Sequence, residues 1–286
     1  GTISAKVEDS TPTVSKKIEN SDIDDSNTTA AIGSDVTFTL TADTVGTSTE
    51  KAKKYKLTDT MSAGLTYKEV KEVKVGTTVV SAADYKVTQT GQTVDIEFAS
   101  SYLSNGDSAF YTADKVYVTY VATVNTSALI SIAGELKPNT NHVDLHYTNN
   151  MDVDSDITGN TVNVYTFTLN VGKVDGNTKA PLAGATFKLT SDTDTTGTTL
   201  TTGEDGSVTF TGLKAGTYYV EETVAPEGYN INSKKFEITI STQGIVTGDN
   251  VTTDIPATDN VKDNKLVVSD FPLSVPQTGG AGTVMF

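Results

Sequence analysis

Lys173 stands where a charge is costly. In FTLNVGK, Phe167, Leu169, Val171 and Lys173 fall on one side of a strand, because successive side chains point to opposite faces. That side reads as the core face, and a buried lysine is unfavourable unless it is neutral or paired. Glu222 poses the same problem in TYYVEET, where Tyr218, Val220 and Glu222 share a face. Two inward ionisable residues in one small fold suggest that they meet. The same pattern recurs earlier in the chain. Lys16 lies between Val14 and Ile18, and Asp59 follows Tyr55 and Leu57 on one face of KKYKLTD. Asn141 leads a strand whose Val143, Leu145 and Tyr147 alternate inward. Lys17, the outward neighbour of Lys16, reads as a surface charge. The competing reading is that these strands end at their polar residues, which then reach solvent; pattern alone leaves both open.

The elements that must position these residues are strands. The 286-residue chain is 36% hydrophobic, and Thr, Val, Asp, Gly and Ser are among its commonest residues. Such a composition reads as many short strands joined by tight turns, without a sustained 3.6-residue apolar period. DVTFTLTA, GLTYKEVKEVKV, TVDIEF and KVYVTYVATVN continue the style in a first sandwich; ATFKLTS, GSVTFTGL, KKFEITIS and KLVVSDF belong to a second. The stretch SDIDDSNTT reads as a polar turn, and MDVDSDITGNT as the junction before a new strand set at VNVYTFTLNVGKVD. The expected fold is all-β, with two tandem immunoglobulin-like sandwiches at 1–155 and 156–274 and a tail at 275–286.

A net charge of −15 excludes phosphate-backbone recognition led by Lys and Arg clusters, and nucleic acid is not an expected partner. With no cysteine, an exported chain has to be stabilised by something other than disulfides. No signal peptide opens the sequence and no apolar run approaches a membrane span. Asp152, Asp154 and Asp156 have a cation-loop spacing, but the Gly and distal Glu are out of register; the stretch reads as a solvated linker. His142 and His146 share the outward face of their strand and read as surface residues. No metal or other cofactor is expected, and no residue pattern points to an enzyme.

GKVDGNTKAPLAGATFKL followed by GLKAGTYYVEETVAPEGY resembles the Cna-type B domain of Gram-positive surface proteins and pilins, over residues 160–272. PTVSKKI, YKLTDTMSAGLTY, VYVTYVATVN and NHVDLHYTNN resemble the isopeptide-forming middle domain of pilus shaft subunits, over residues 12–152. The resemblance implies an intramolecular isopeptide bond in each domain. In the first, Lys16 supplies the amine, Asp59 the catalytic acid, and Asn141 the acyl group, with Asn149 as the alternative of equal parity. In the second, Lys173 is the amine and Glu222 the acid. Asp270 takes the acyl position, where the family more often shows Asn, and Asn264 is the alternative. A nonpolar site suits this chemistry: it favours a neutral, nucleophilic amine and a protonated acid that polarises a carbonyl and moves protons. Packing supplies the high effective concentration.

VPQTGG near the end resembles the sortase sorting signal L-P-x-T-G, with Val275 in place of Leu. It implies cleavage between Thr278 and Gly279, with Thr278 retained as the acyl end. The expected protein is then a secreted, wall-anchored shaft pilin whose partners are other pilin subunits, pilus-specific and housekeeping sortases, and peptidoglycan. The Tyr-Pro-Lys tripeptide that links such subunits does not occur, so an N-terminal domain carrying it is expected before Gly1, and a membrane segment after Phe286. The alternative is a non-polymerising wall-anchored adhesin, or an adhesin stalk, with a host surface ligand.

Overall fold

The computed structural model describes residues 11–254 and 263–274. These residues form two compact units. One comprises the chain up to Ser131, Glu135–Phe167 and Gly212–Ala215; the other comprises the remainder.

The strands of the first unit are β1 (Val14–Ile18), β2 (Asn27–Thr29), β3 (Asp35–Asp43), β4 (Lys54–Met61), β5 (Leu65–Val75), β6 (Thr78–Val79), β7 (Tyr85–Thr90), β8 (Thr93–Phe98), β9 (Lys115–Val124), β10 (Asn139–Thr148) and β11 (Asp154–Tyr165). They build two sheets, ordered β1-β3-β9-β5-β6 and β2-β11-β10-β4-β8-β7. Alternation decides which residues fill the space between. In β1, Val14, Lys16 and Ile18 are buried while Ser15 and Lys17 are exposed. Phe38, Leu40, Tyr55, Leu57, Val118, Tyr120, Val143 and Leu145 complete a dry core from both sheets. Each large apolar side chain so buried contributes about 1.5–3 kcal/mol.

The structure carries the first unit past the expected junction at 155. Asp154–Tyr165 is not the opening of a new sandwich but β11, paired antiparallel with β10 along Asn139–Thr148. The polar stretch before it is only a hairpin turn, which Asn149 closes by accepting the Met151 and Val153 N–H groups. The SDIDDSNTT stretch is also more than a turn. Asp22 accepts from Thr28 and Thr29, and the segment continues as β2, paired parallel with β11.

The second unit holds β12 (Phe167–Asp175), β13 (Thr186–Ser191), β14 (Thr198–Thr201), β15 (Ser207–Leu213), β16 (Gly216–Val224), β17 (Lys235–Ile240), β18 (Val246–Gly248), β19 (Val251–Asp254) and β20 (Asp263–Asp270). Its sheets run β15-β12-β20-β19 and β14-β13-β16-β17-β18. The first and last strands, β12 and β20, are parallel neighbours, with Lys173 opposite Val268 and Asp175 opposite Asp270. Phe187, Val220, Phe236, Ile238, Leu266 and Val268 are among the side chains buried between the sheets. Among the described residues no helix is long and apolar enough to cross a membrane.

Two buried amine–acid sites

Lys16, Asp59 and Asn141 converge in the core of the first unit. Lys16 enters from β1 in one sheet; Asp59 and Asn141 sit on β4 and β10 of the other. Antiparallel register sets Val143 opposite Asp59 and Asn141 opposite Met61, so acid and carboxamide are diagonal neighbours on one face. The Lys16 amine meets both the Asp59 Oδ2 and the Asn141 Oδ1 atoms directly. Lys16 is 3% exposed, and Asp59 and Asn141 are fully buried.

Two aromatic rings wall this site. Phe38 and Tyr120 stack with centroids 5.4 Å apart, and the amine lies 5.6 Å from each ring centre. Such surroundings penalise charge. Burial lowers the Lys16 amine to about 8, against the attraction of Asp59. Burial likewise lifts the Asp59 carboxyl above the usual range, opposed by Lys16 and by the Tyr120 hydroxyl. Amine and acid are thus shifted toward each other, which favours a neutral nucleophile beside a protonated acid.

Residues that alternation alone did not single out hold this geometry. The Tyr120 hydroxyl donates to Asp59 Oδ2 at 2.8 Å and accepts from Asn141 Nδ2. Its inward parity on β9 was visible, and a buried phenol calls for a polar partner. Asn160 accepts from the Lys16 N–H at 2.7 Å and donates to the Lys16 carbonyl at 2.9 Å, standing in for a neighbouring strand. It can do so because β11 bulges opposite Val143, where register slips between His142 and Asp144. Gly159 makes that bulge possible, since a Cβ there would lie 2.6 Å from the Val143 carbonyl oxygen.

The second site has a different layout. Lys173 and Asp270 lie on the adjacent strands β12 and β20, and Glu222 faces them from β16. The Lys173 amine is 2.9 Å from Glu222 Oε1 and in direct contact with Asp270 Oδ1, and all three side chains have no exposed surface. These contacts are in ion-pair range, yet none of the facing atoms has hydrogen-bond geometry. The Phe187 ring centre lies 5.7 Å from the amine. Burial raises the Glu222 carboxyl above its usual range, against the pull of Lys173, and Asp270 adds to the rise. Asn232 offsets part of it by donating its N–H to Glu222 Oε2 at 2.8 Å.

Backbone contacts seat Lys173 from both sides. Its N–H donates to the Gly206 carbonyl at 2.7 Å, and its own carbonyl accepts from Leu182 at 2.9 Å. Gly206 has φ +67°, and a Cβ would come within 2.6 Å of the Lys173 carbonyl oxygen, so glycine is required there.

The alternative acyl residues fall elsewhere. Asn149 lies eight residues beyond Asn141, about 26 Å along an extended chain, and its carboxamide oxygen is used in the hairpin turn. Asn264 pairs opposite Thr253 on β19, about 20 Å along β20 from Asp270. Thr278 and Gly279 lie outside the described residues. The outward histidines meet acidic or hydroxyl neighbours: His142 contacts Thr161 and Asp144, and His146 contacts Asp156. Among the described residues no group of three or more His, Cys, Asp or Glu side chains could hold a metal ion.

Two family models match this chain in tandem. Residues 32–151 match the Gram-positive pilin backbone subunit 2, Cna-B-like domain, and residues 167–254 match the SpaA prealbumin-like fold domain. The chain belongs to the Gram-positive backbone pilins. Like the other members of this structural family, it is not an enzyme. Among relatives of this backbone pilin is the trypsin-resistant surface T6 protein of Streptococcus pyogenes serotype M6, 26% identical over 258 residues. That match takes in 80% of the chain but only 46% of the relative, so the chain spans about half of its length. The 35 kDa C-terminal fragment of the major pilin GBS80 of Streptococcus agalactiae shares the fold, with a TM-score of 0.68 at 18% identity, covering 91% of this chain and all of that one. The group B streptococcus pilus 2b backbone protein gives a TM-score of 0.63 at 26% identity, over 90% of this chain and 97% of the other.

Proposed function

We propose that this backbone pilin is a structural subunit of a covalently polymerised pilus on the cell surface, and that each unit crosslinks itself once. The observation that carries the crosslinks is the pair of buried sites in which one amine touches both a carboxyl acid and an acyl side chain. In the first unit Lys16 attacks the Asn141 carboxamide, with Asp59 as acid and base, and ammonia leaves. In the second unit Lys173 attacks the Asp270 carboxyl, helped by Glu222, and water leaves. Each site turns over once, as a maturation step.

Assembly rests on the sequence VPQTGG after β20. Sortase joins Thr278 to a lysine of the next subunit, and a housekeeping sortase finally links the polymer to peptidoglycan. The test uses the full-length precursor expressed with its own sortase. Thr278→Ala abolishes the high-mass ladder while the internal mass losses persist, because those need only the fold. A ladder that survives the substitution overturns VPQTGG as the sorting signal. A parent that yields only one wall-linked band overturns polymerisation in favour of a wall-anchored adhesin.

A further inference from the structure

The first site contains a phenol that the crosslinking scheme above does not use. Tyr120 is 1% exposed, and its hydroxyl sits between the two groups whose protons must move. It bonds Asp59 Oδ2 at 2.8 Å on one side and Asn141 Nδ2 on the other. Nδ2 is the atom that leaves as ammonia, whereas the described contacts of Asp59 are with Lys16 and Tyr120. We propose that Tyr120 is a catalytic proton relay, carrying the proton of Asp59 to the departing nitrogen of Asn141. The proposal rests on the crosslink reading and adds a residue to it.

The atoms balance as follows. The neutral Lys16 amine attacks Asn141 Cγ, and Nδ2 gains a lone pair as the carbon becomes tetrahedral. As Nδ2 becomes pyramidal its lone pair turns to Tyr120 Oη, and both hydrogen bonds reverse so that Asp59 Oδ2–H points to Oη and Oη–H to Nδ2. Asp59 then gives its proton to Oη while Oη gives its own to Nδ2, which restores the original directions. The Cγ–Nδ2 bond breaks and ammonia departs. Nζ then releases one proton to the Asp59 carboxylate, which ends protonated as it began. An amine and a carboxamide become a secondary amide and ammonia, with no oxidant or cofactor. The relay never needs a free phenolate, and burial together with the nearby Asp59 charge raises the phenol far above its ordinary range, which keeps it protonated.

Tyr120→Phe removes the hydroxyl and keeps the ring that stacks on Phe38. The full chain is made by cell-free synthesis, quenched in acid at intervals, and weighed intact. Ammonia loss in the variant slows by roughly a hundredfold, as expected for a positioned proton transfer, while water loss from the second unit keeps its rate. Ammonia loss at the parental rate overturns the relay. A structural effect is separated by comparing Lys16→Met with and without Tyr120→Phe: equal melting shows that the hydroxyl is not needed for folding. If that double variant does not fold, 3,5-difluorotyrosine at position 120 retains the ring and makes the hydroxyl more acidic. The relay then predicts an altered pH dependence of ammonia loss, and an unchanged profile overturns it. A parent that never loses ammonia overturns the crosslink reading itself.

Discussion

The two sites use the same groups in opposite arrangements. In the first unit the amine crosses the core, from β1 in one sheet to an acid and a carboxamide side by side in the other. In the second, amine and acyl carboxyl are neighbours in one sheet and the acid reaches across from the other. The proposed crosslinking therefore does not depend on which strands are paired. It requires an amine, an acid and an acyl group in one dry volume, and either sandwich geometry supplies that. The mechanical consequences differ. A bond between Lys173 and Asp270 ties the first strand of its unit to the last, leaving almost nothing outside the closed loop. A bond between Lys16 and Asn141 leaves the rest of β10 and all of β11 beyond it.

Pulling on the chain ends is the largest way to separate the two. With both bonds formed, the second unit gives no extension. The first can release only the stretch from His142 to Tyr165, about 24 residues or about 80 Å of contour. Lys16→Ala and Lys173→Ala each open their own unit, and extensions rise to roughly 500 Å and 350 Å respectively. Single-molecule force spectroscopy on the parent and both variants reads these lengths. Equal, full-length extension of parent and variants would remove the bonds from the account.

Stability gives the next effect. Each bond closes a loop of about 100 residues or more, worth about 5 kcal/mol by the chain-entropy estimate used for disulfides. Asp59→Ala and Glu222→Ala prevent bond formation and lower the melting of their own unit, with faster trypsin cleavage there and none elsewhere. Calorimetry in which one substitution lowers both transitions would contradict independent sites.

Much of this architecture was legible because strands have period two. Lys16 and Lys173 break runs of inward apolar residues, and no helical pattern competes with that reading. Parity could not go further. Asn141 and Asn149 share a face, and only the register of β10 against β4 brings one of them to Asp59. The extent of the first unit is not legible in the sequence, because β11 is polar along its first half and buries only Val162 and Val164 near its end. Asn160 carries no sequence signal for a related reason. It is 144 residues from Lys16 in sequence and acts through a bulge that no local pattern marks. Asn232 acts through its backbone N–H, which carries no residue-type signal at all.

A smaller effect is the pH dependence of the first site. There, one proton is shared by amine and acid between the raised Asp59 pKa and the Lys16 value of about 8. Above about 8 that proton is lost; below the Asp59 value both groups are protonated and the amine is an ammonium. Ammonia loss should therefore be bell-shaped, with its alkaline limb near 8. Time courses of ammonia loss across the neutral and alkaline range check this, and a rate that keeps rising well above about 8 would contradict it.

The most direct test is the mass of the folded chain, followed by peptide mapping. The account predicts a protein lighter than its sequence by one ammonia and one water. Mapping should recover a branched peptide joining Lys16 to Asn141 and another joining Lys173 to Asp270. An unshifted mass, with Lys16 and Lys173 both recovered in linear peptides, would contradict it.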